Sequence, residues 1–433
     1  MDLLTANDRP GEYPRSYYAD TAEHLDRFPA AASDLTCDVC VVGGGFTGMS
    51  TAYHLAQRGY DVVLVEAQRV GFGASGRNGG QVSTGQRRDQ DELEQMVGDA
   101  HARDLWDIGC QAVDLVRDLC ATDAVRTAFH PGIVHAVHRA RDHRHNQAYA
   151  DHMQSKYGYD KISVLEPEAC RAIVNSPAYH GGTLDMGSGH VNPLELVFGL
   201  TRLAVAAGAR VFEGSKVLHV AEGDPATVTT DQAVIKARYV VLGCNGYLGQ
   251  LQKHVAARVM PINNFIVATA PMSPEAQENI IAHNYAVADS KFVVNYFRFS
   301  DDHRLLFGGT ESYGYKFPKD IAANVRKPLA QIFPQLKDVK IDHAWGGTLG
   351  ITMNRMPHYE RLGGNILTMS GFSGSGVALG TMSGKIAAEA IAGQAEKFDI
   401  MARVPTLPFP GGPKWRSPLL VLAMLWYSLR DKL

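Results

Sequence analysis

Asp38-Val39-Cys40-Val41-Val42-Gly43-Gly44-Gly45-Phe46-Thr47-Gly48 decides the fold. A β-branched run leads straight into Gly-x-Gly-x-x-Gly, and Phe46, Met49, Ala52, Tyr53 and Ala56 then recur at helical spacing. The helical pattern stops near Arg58-Gly59, and Asp61-Val62-Val63-Leu64-Val65-Glu66 follows as a second buried strand. A glycine fingerprint alone is a weak signal, because glycine turns are common in α/β chains. With a strand before it, a helix and second strand after it, and a carboxylate at the end, it predicts a dinucleotide-binding βαβ unit. Gly43 permits the tight turn, Gly45 lets a pyrophosphate approach the backbone, and Gly48 lets helix and strand pack closely. The helix start at Phe46 and Thr47 offers free N–H groups to the phosphates. Glu66, followed by Ala67, ends the second strand, where a carboxylate accepts both hydroxyls of a ribose and repels a 2′-phosphate.

The 433 residues suffice for two cores. With 45% hydrophobic and 20% charged residues, the composition is that of an ordinary soluble globular protein. A formal charge of −3 gives no reason to expect nucleic acid or an anionic membrane as partner. The cysteines at 37, 40, 110, 120, 170 and 244 lack the spacing of a disulfide framework. Cys37 and Cys40 form a C-x-x-C on the predicted first strand, away from any helix start that would lower a thiol pKa, so they read as small buried hydrophobes. The first residues lack the basic and apolar regions of a signal peptide, and a cytoplasmic location is expected.

Outward from the fingerprint, residues 1–35 carry Pro, Tyr and acidic residues without periodicity and read as an irregular arm. Val70-Gly71-Phe72-Gly73-Ala74-Ser75-Gly76-Arg77-Asn78-Gly79-Gly80-Gln81 is too rich in glycine for helix or ordinary strand. It reads as backbone pressed against a ligand, with Ser75, Arg77 and Asn78 as donors and Arg77 as charge partner for a pyrophosphate. Residues 89–128 are helical, and His130–His138 has strand character. His135 and His138, three apart on that strand, face opposite ways, so no metal site is read there. Gly181–Pro193 reads as a loop into a helix that runs to about Gly208. Strands follow at Arg210–Glu213 and Lys216–Val220, then a hairpin around Asp231-Gln232. Tyr239–Gly246 is a further buried strand whose glycine turn, with Cys244, would lie by the same phosphates. From Met260 to about Gly350 the pattern is β with one helix between, including strands 263–269, 292–299 and 304–309. A separate sheet of this kind suits a substrate pocket.

Asn365–Ser370 then leads into Gly371-Phe372-Ser373-Gly374-Ser375-Gly376 and a helix beginning at Val377, a second glycine-rich strand-to-helix turn. One nucleotide half-site does not require both turns. FAD does, because its AMP and flavin ends lie far apart, and a helix N-terminus aimed at the flavin pyrimidine stabilises the charge of the reduced ring. The apolar run Pro418–Tyr427 is too short to span a membrane. A buried terminal helix is the first reading of it, a peripheral membrane or subunit contact the second.

Taken together these stretches resemble the D-amino-acid-oxidase-like family of FAD-dependent amine and amino-acid oxidoreductases, and within it the γ-glutamylputrescine oxidoreductase branch. The resemblance spans the arm Pro14–Ala19, the fingerprint, Gly71–Gln81, Gly371–Leu379, and the tail Leu407–Gly412 with Trp426-Tyr427. It implies a bilobal α/β (α+β) fold. A Rossmann-like FAD-binding domain would be built from 36–88, 155–255 and 340–400, with an interleaved antiparallel-sheet substrate domain from 89–154 and 256–339. The arm 1–35 and a tail helix in 401–433 complete the chain. Carried over by position, Gly43, Gly45, Gly48, Glu66, Arg77, Asn78, Gly79 and Gly80 would hold the ADP and ribityl parts, with Gln81 closing that stretch. Val217 would contact adenine through its backbone, Gly246 would lie by the pyrophosphate, and Gly371, Phe372, Ser373, Gly374 and Gly376 would face the flavin. Relatives that attach FAD covalently use a His or Cys near positions held here by Ser75-Gly76-Arg77 and Gly346-Gly347-Thr348, so non-covalent FAD is expected.

The reaction so implied is hydride transfer from an amine-bearing carbon to flavin N5, giving an imine that water hydrolyses to an aldehyde and ammonia or a smaller amine. The partners are a small-molecule amine and either O2 or an electron carrier. Tyr296 and Arg298 share one strand face, and Arg298 is the expected clamp for a substrate carboxylate. His343, two before Trp345, is the expected acceptor of the amine proton. Sarcosine-oxidase-like relatives carry a Lys on the strand matching Arg304–Gly308; this strand has none, so an FAD-dependent amino-acid dehydrogenase reducing a carrier or quinone is the rival. A non-catalytic flavin-binding protein is the alternative from another class.

Overall fold

Leu35–Val42 forms the central strand of the first sheet, its last four residues buried, and pairs in parallel with Val62–Val65 on one side and Val234–Leu242 on the other. Strands buried on both faces favour the β-branched run seen here. The computed structural model describes residues 2–410, so the apolar run Pro418–Tyr427 lies outside the described residues. The full sheet has eight strands, in the order His358–Leu362, Ile366–Ser370, Val234–Leu242, Leu35–Val42, Val62–Val65 and Arg210–Phe212. The hairpin Val217–Ala221 and Ala226–Thr230 joins it through Val234–Leu242. The second hairpin arm and the strand predicted at Tyr239–Gly246 are thus one continuous strand.

Helix Phe46–Ala56 packs against Gly376–Ile391 and Pro193–Ala206. Thr47 and Ser50 hydroxyls donate across to the Gly380 and Thr381 carbonyls at 2.9 and 2.7 Å, which requires close backbones. Gly384 permits this, since a Cβ there would meet Ser50 and the Thr47 carbonyl.

The second sheet has nine strands, ordered Ile341–Ile351, Met260–Thr269, Leu305–Ser312, Tyr296–Phe299, Ala286–Asp289, His130–Ala136, Gly182–His190 and Gln81–Val82, with Ile162–Leu165 paired to Gly182–His190. This redraws the expected boundaries. Gln81–Val82 falls in 36–88, Gly182–His190 and Ile162–Leu165 in 155–255 and Ile341–Ile351 in 340–400, yet all four belong to the second sheet. Helix Asp99–Cys120, expected in the substrate lobe, packs on Gly376–Ile391 in the first core. Gly182–His190 looked like a loop because of its glycines. They are strand residues with no room for a side chain: a Cβ at Gly189 would meet the Phe129 ring and the His130 carbonyl. The arm is mostly irregular, with one turn of helix at Tyr17–Thr21 whose N-terminal Ser16 accepts from the Ala19 N–H.

His54, buried on the fingerprint helix, is pushed down to about 4, first by burial and then by the charges of Lys385 and Arg58. An unfolded chain protonates this imidazole near 6.5, whereas the native state resists until about 4. Its contribution is therefore intact above 6.5 and is lost as the pH falls towards 4, by about 3 kcal/mol in all. His54→Leu is expected to remove that share of acid sensitivity. Urea midpoints of both proteins at about pH 7 and about pH 4.5 check it, and parallel falls in the two would refute it.

Candidate active site

The glycine fingerprint sits where the first strand ends. Gly43 takes φ +106°, a conformation that favours glycine, and a Cβ on Gly48 would fall on the Gly43 carbonyl oxygen. A Cβ on Gly45 would lie 2.8 Å from Ser75 Oγ, which accepts the Phe46 N–H at 3.0 Å. Glu66 Oε2 accepts the Gly44 N–H at 2.6 Å and Oε1 the Gln68 N–H at 2.8 Å. Burial raises this carboxyl, and the two N–H donors oppose it.

Around these residues lies a cavity of about 180 Å³. Gly43, Gly45, Phe46, Thr47, Glu66 and Ala67 line it from the βαβ unit, and Asn78, Val217 and Cys244 from neighbouring segments. Phe372, Ser373, Gly374, Gly376 and Val377 line it from the second glycine turn. The Thr47 hydroxyl is committed to Gly380, leaving its backbone towards the cavity. Gly48, Gly80 and Gly246 stand one layer behind, where backbones touch: a Cβ on Gly80 would meet the Val191 carbonyl, and one on Gly246 would meet Leu349, while Gly371 packs against the Thr352 side chain. Asn245 lines the wall beside Gly246, and its Oδ1 accepts the Gly371 N–H at 2.9 Å, tying together the exits of two parallel strands.

Arg77 differs from the expectation. Its guanidinium turns away from the cavity to pair with Asp8 at 2.7 Å, donates to the Phe72 and Gly346 carbonyls, and lies over the Phe72 ring. With its side chain 1% exposed, it anchors the arm and is not a pyrophosphate partner. Asn78 is also structural in its amide, donating to the Ala74 and Ser75 carbonyls and accepting the Gly80 N–H.

A second cavity, of about 550 Å³, adjoins the first. Ala74, Asn78, Leu349, Ser373, Gly374 and Val377 line both. Gly79 and Gln81 line the second, Gln81 donating its amide to the Val287 carbonyl. Tyr296 faces this space, its ring against Gly79 and Gly308 and its hydroxyl donating to Asn264. Burial raises that phenol, so it stays protonated.

Arg298 does not reach the cavity. It is 5% exposed, and its N–H groups donate to the carbonyls of Gly79, Val191 and Phe299 at 2.7, 2.9 and 3.1 Å and to the Tyr18 hydroxyl at 3.3 Å. It holds the Gly79-Gly80 backbone in place and has no free face for a carboxylate. His343 is likewise off the site, paired with Asp20 at 3.0 Å and packed edge-on against Tyr17. Trp345 donates to the Arg77 carbonyl at 2.9 Å, supporting the glycine stretch from beneath.

The second cavity also exposes residues to which the sequence assigned no site role, His135 among them. Arg87, Glu311 and Arg355 face it at one side; His135, Tyr149 and Asp185 face it at another. Burial lowers His135, keeping its ring neutral, and raises Glu311. The signal for Arg87 was its place, Gln86-Arg87-Arg88 just after the glycine stretch; Arg355 lies in a turn with no motif around it.

The glycine fingerprint, a buried carboxylate and a second glycine turn share one cavity that opens into another, an arrangement that fits FAD and an FAD-dependent oxidoreductase. Residues 38–390 match the family model described as DAO, FAD dependent oxidoreductase, and the chain belongs to that family. It is 40% identical over 418 residues to the probable oxidoreductase OrdL of Rhizobium meliloti (strain 1021), covering 96% of this chain and 97% of that one. It is 38% identical over 423 residues to the gamma-glutamylputrescine oxidoreductase of Escherichia coli (strain K12), covering 98% and 99%. In fold it is similar to the glycine oxidase of Geobacillus kaustophilus, with a TM-score of 0.69 and 18% identity over 83% of this chain and 95% of that one. Among the described residues, no helix is long and apolar enough to cross a membrane.

Proposed function

We propose that this enzyme oxidises the C–N bond of a γ-glutamylputrescine-like amine, with FAD held non-covalently. The observation that carries the reading is the junction of the two cavities at Ala74, Asn78, Leu349, Ser373, Gly374 and Val377, which joins a chamber lined by charged and aromatic residues to the cavity lined by the glycine fingerprint. The extended likeness to a gamma-glutamylputrescine oxidoreductase supports it. FAD, when bound, accepts the hydride of the amine-bearing carbon, and the imine left behind is hydrolysed to an aldehyde and ammonia or a smaller amine.

The chain's own residues bind, orient and exclude water. Gly45 and Thr47 present backbone to the phosphates, the Gly44 and Phe46 N–H groups being held by Glu66 and Ser75, and Glu66 takes the ribose. Tyr296, protonated and fixed on Asn264, walls the chamber without acting as a base. Non-covalent attachment is supported by the lining: among the described residues no histidine lines the dinucleotide cavity, and burial pushes its one thiol, Cys244, up to about 12. One observation favours a second reading in which the acceptor is a carrier and not O2: strand Leu305–Ser312 contains no lysine.

An anaerobic absorbance titration tests the proposal, using γ-glutamylputrescine, putrescine, sarcosine, and D- and L-amino acids. Bleaching of the flavin bands by γ-glutamylputrescine is the expected result. Rapid return of the bands in air marks an oxidase, and slow return marks a carrier-linked dehydrogenase. Bands untouched by every amine would overturn the reading.

A further inference from the structure

We infer that Arg87 and Arg355 form a two-arginine carboxylate site in the larger cavity, and that this pair makes the enzyme select amines that carry a carboxylate over plain diamines. The inference rests on the amine-oxidation reading and adds the residues that read the substrate's acid group.

Buried cations need partners, and the other arginines at this site have them. Arg77 has Asp8 and two carbonyls, Arg298 has three carbonyls and a hydroxyl, and Arg88 has Glu92 and the Asn354 carbonyl. Arg87 and Arg355 both line the cavity, and neither has a carboxylate within ion-pair distance among the described residues. Arg87 uses one of a guanidinium's five N–H donors, Nε, on the Ser373 carbonyl at 3.1 Å. Arg355 lies 5.4 Å from the centre of the Phe292 ring, a contact that takes up none of its N–H groups in a protein hydrogen bond.

The two guanidiniums also oppose each other. Burial and then the charge of Arg355 pull Arg87 down from the usual arginine range. The carboxyl whose charge acts on both is Glu311, beyond ion-pair distance of either, which burial holds towards its neutral form while Tyr313 donates to it at 3.1 Å. The other cavity carboxylates are taken. Asp185 accepts from Thr84, Ser188 and Tyr159, Asp289 from the Asn295 side chain and backbone, and Asp89, whose charge also favours the Arg87 cation, is paired with His145 at 3.6 Å. Two like charges facing a polar cavity are stabilised by an anion between them, and planar forks match a carboxylate. A γ-glutamyl amine brings one; a diamine brings only more positive charge.

The test uses the FAD-loaded enzyme with glutarate, a carboxylate that cannot be oxidised, followed by its perturbation of the flavin absorbance bands. Arg355→Asn suits the positive φ of 65° at this position and removes the charge; Arg87→Gln is the second variant and Arg355→Lys the conservative one. Each charge-removing variant is expected to weaken glutarate binding by about 10- to 100-fold, with Arg355→Lys recovering part of it. The kcat/KM preference for γ-glutamylputrescine over putrescine should shrink by a similar factor. Wild-type binding of glutarate in an enzyme that no amine reduces would overturn the amine reading while sustaining the site. Variants that bind glutarate as wild type, or that change only FAD retention, would overturn the site.

Discussion

Arg298→Met is expected to cost about 3–5 kcal/mol of folding stability, because it leaves the buried carbonyls of Gly79, Val191 and Phe299 without donors. The guanidinium joins three separate parts of the chain. The arm contributes Tyr18, the glycine stretch Gly79, and the segment after Gly182–His190 contributes Val191. Its loss should therefore loosen the Gly79-Gly80 backbone that walls the larger cavity and lower FAD retention as well as the urea midpoint. Arg298→Lys keeps the charge, but its three donors sit on one nitrogen and cannot span the four acceptors that the guanidinium fork reaches, so an intermediate midpoint is expected. A variant with the midpoint of wild type that instead lost affinity for a carboxylate-bearing amine would make Arg298 a substrate clamp after all.

Gly48→Ala is the second large effect. The added Cβ falls on the Gly43 carbonyl oxygen, a backbone atom that cannot swing away as a flexible side chain could. The helix must move off the strand, breaking the Phe46 N–H bond to Ser75 Oγ and withdrawing the helix start from the cavity. A loss of about 3 kcal/mol and a colourless purified protein are expected. Gly45→Ala is the control for steric softness, since its Cβ would meet Ser75 Oγ at 2.8 Å and a serine can rotate. It should stay folded and lose FAD affinity only. Flavin absorbance per protein and the urea midpoint together distinguish the two; a yellow, stable Gly48→Ala would refute the packing argument.

The sequence made the dinucleotide unit legible because every part of that signal is local. Val39–Val42, the three glycines, the helix face and Glu66 lie within thirty-odd residues, and each has one conformational reading. The second glycine turn at Gly371–Gly376 was legible for the same reason. Side-chain roles were not. Arg77 and Arg298 carry the residue type that clamps anions, but what an arginine does depends on which acceptors surround it. Here those are Asp8, 69 residues away in sequence, and Tyr18, 280 away. His343 was misjudged likewise, since its partner Asp20 comes from the arm. The lobe boundaries failed at Gly182–His190 because glycine within a strand carries the same local signal as glycine in a loop, and the difference lies in the neighbours pressed against it.

The order of strands along the chain has a consequence for synthesis. Val39–Val42 pairs on one side with Val62–Val65, which follows at once, but its other partner is Val234–Leu242. Roughly 200 residues must emerge before that edge is covered, which at ribosomal speed takes roughly 10–40 s. The parallel strand Ile366–Ser370, leading into the second glycine turn, comes later still. A nascent chain thus carries an open, β-branched edge for most of its time on the ribosome, the kind of template that invites intermolecular pairing. Chaperone capacity, more than final stability, should set the yield of this protein in a cell, and the cofactor can be seated only in a chain whose translation is nearly complete.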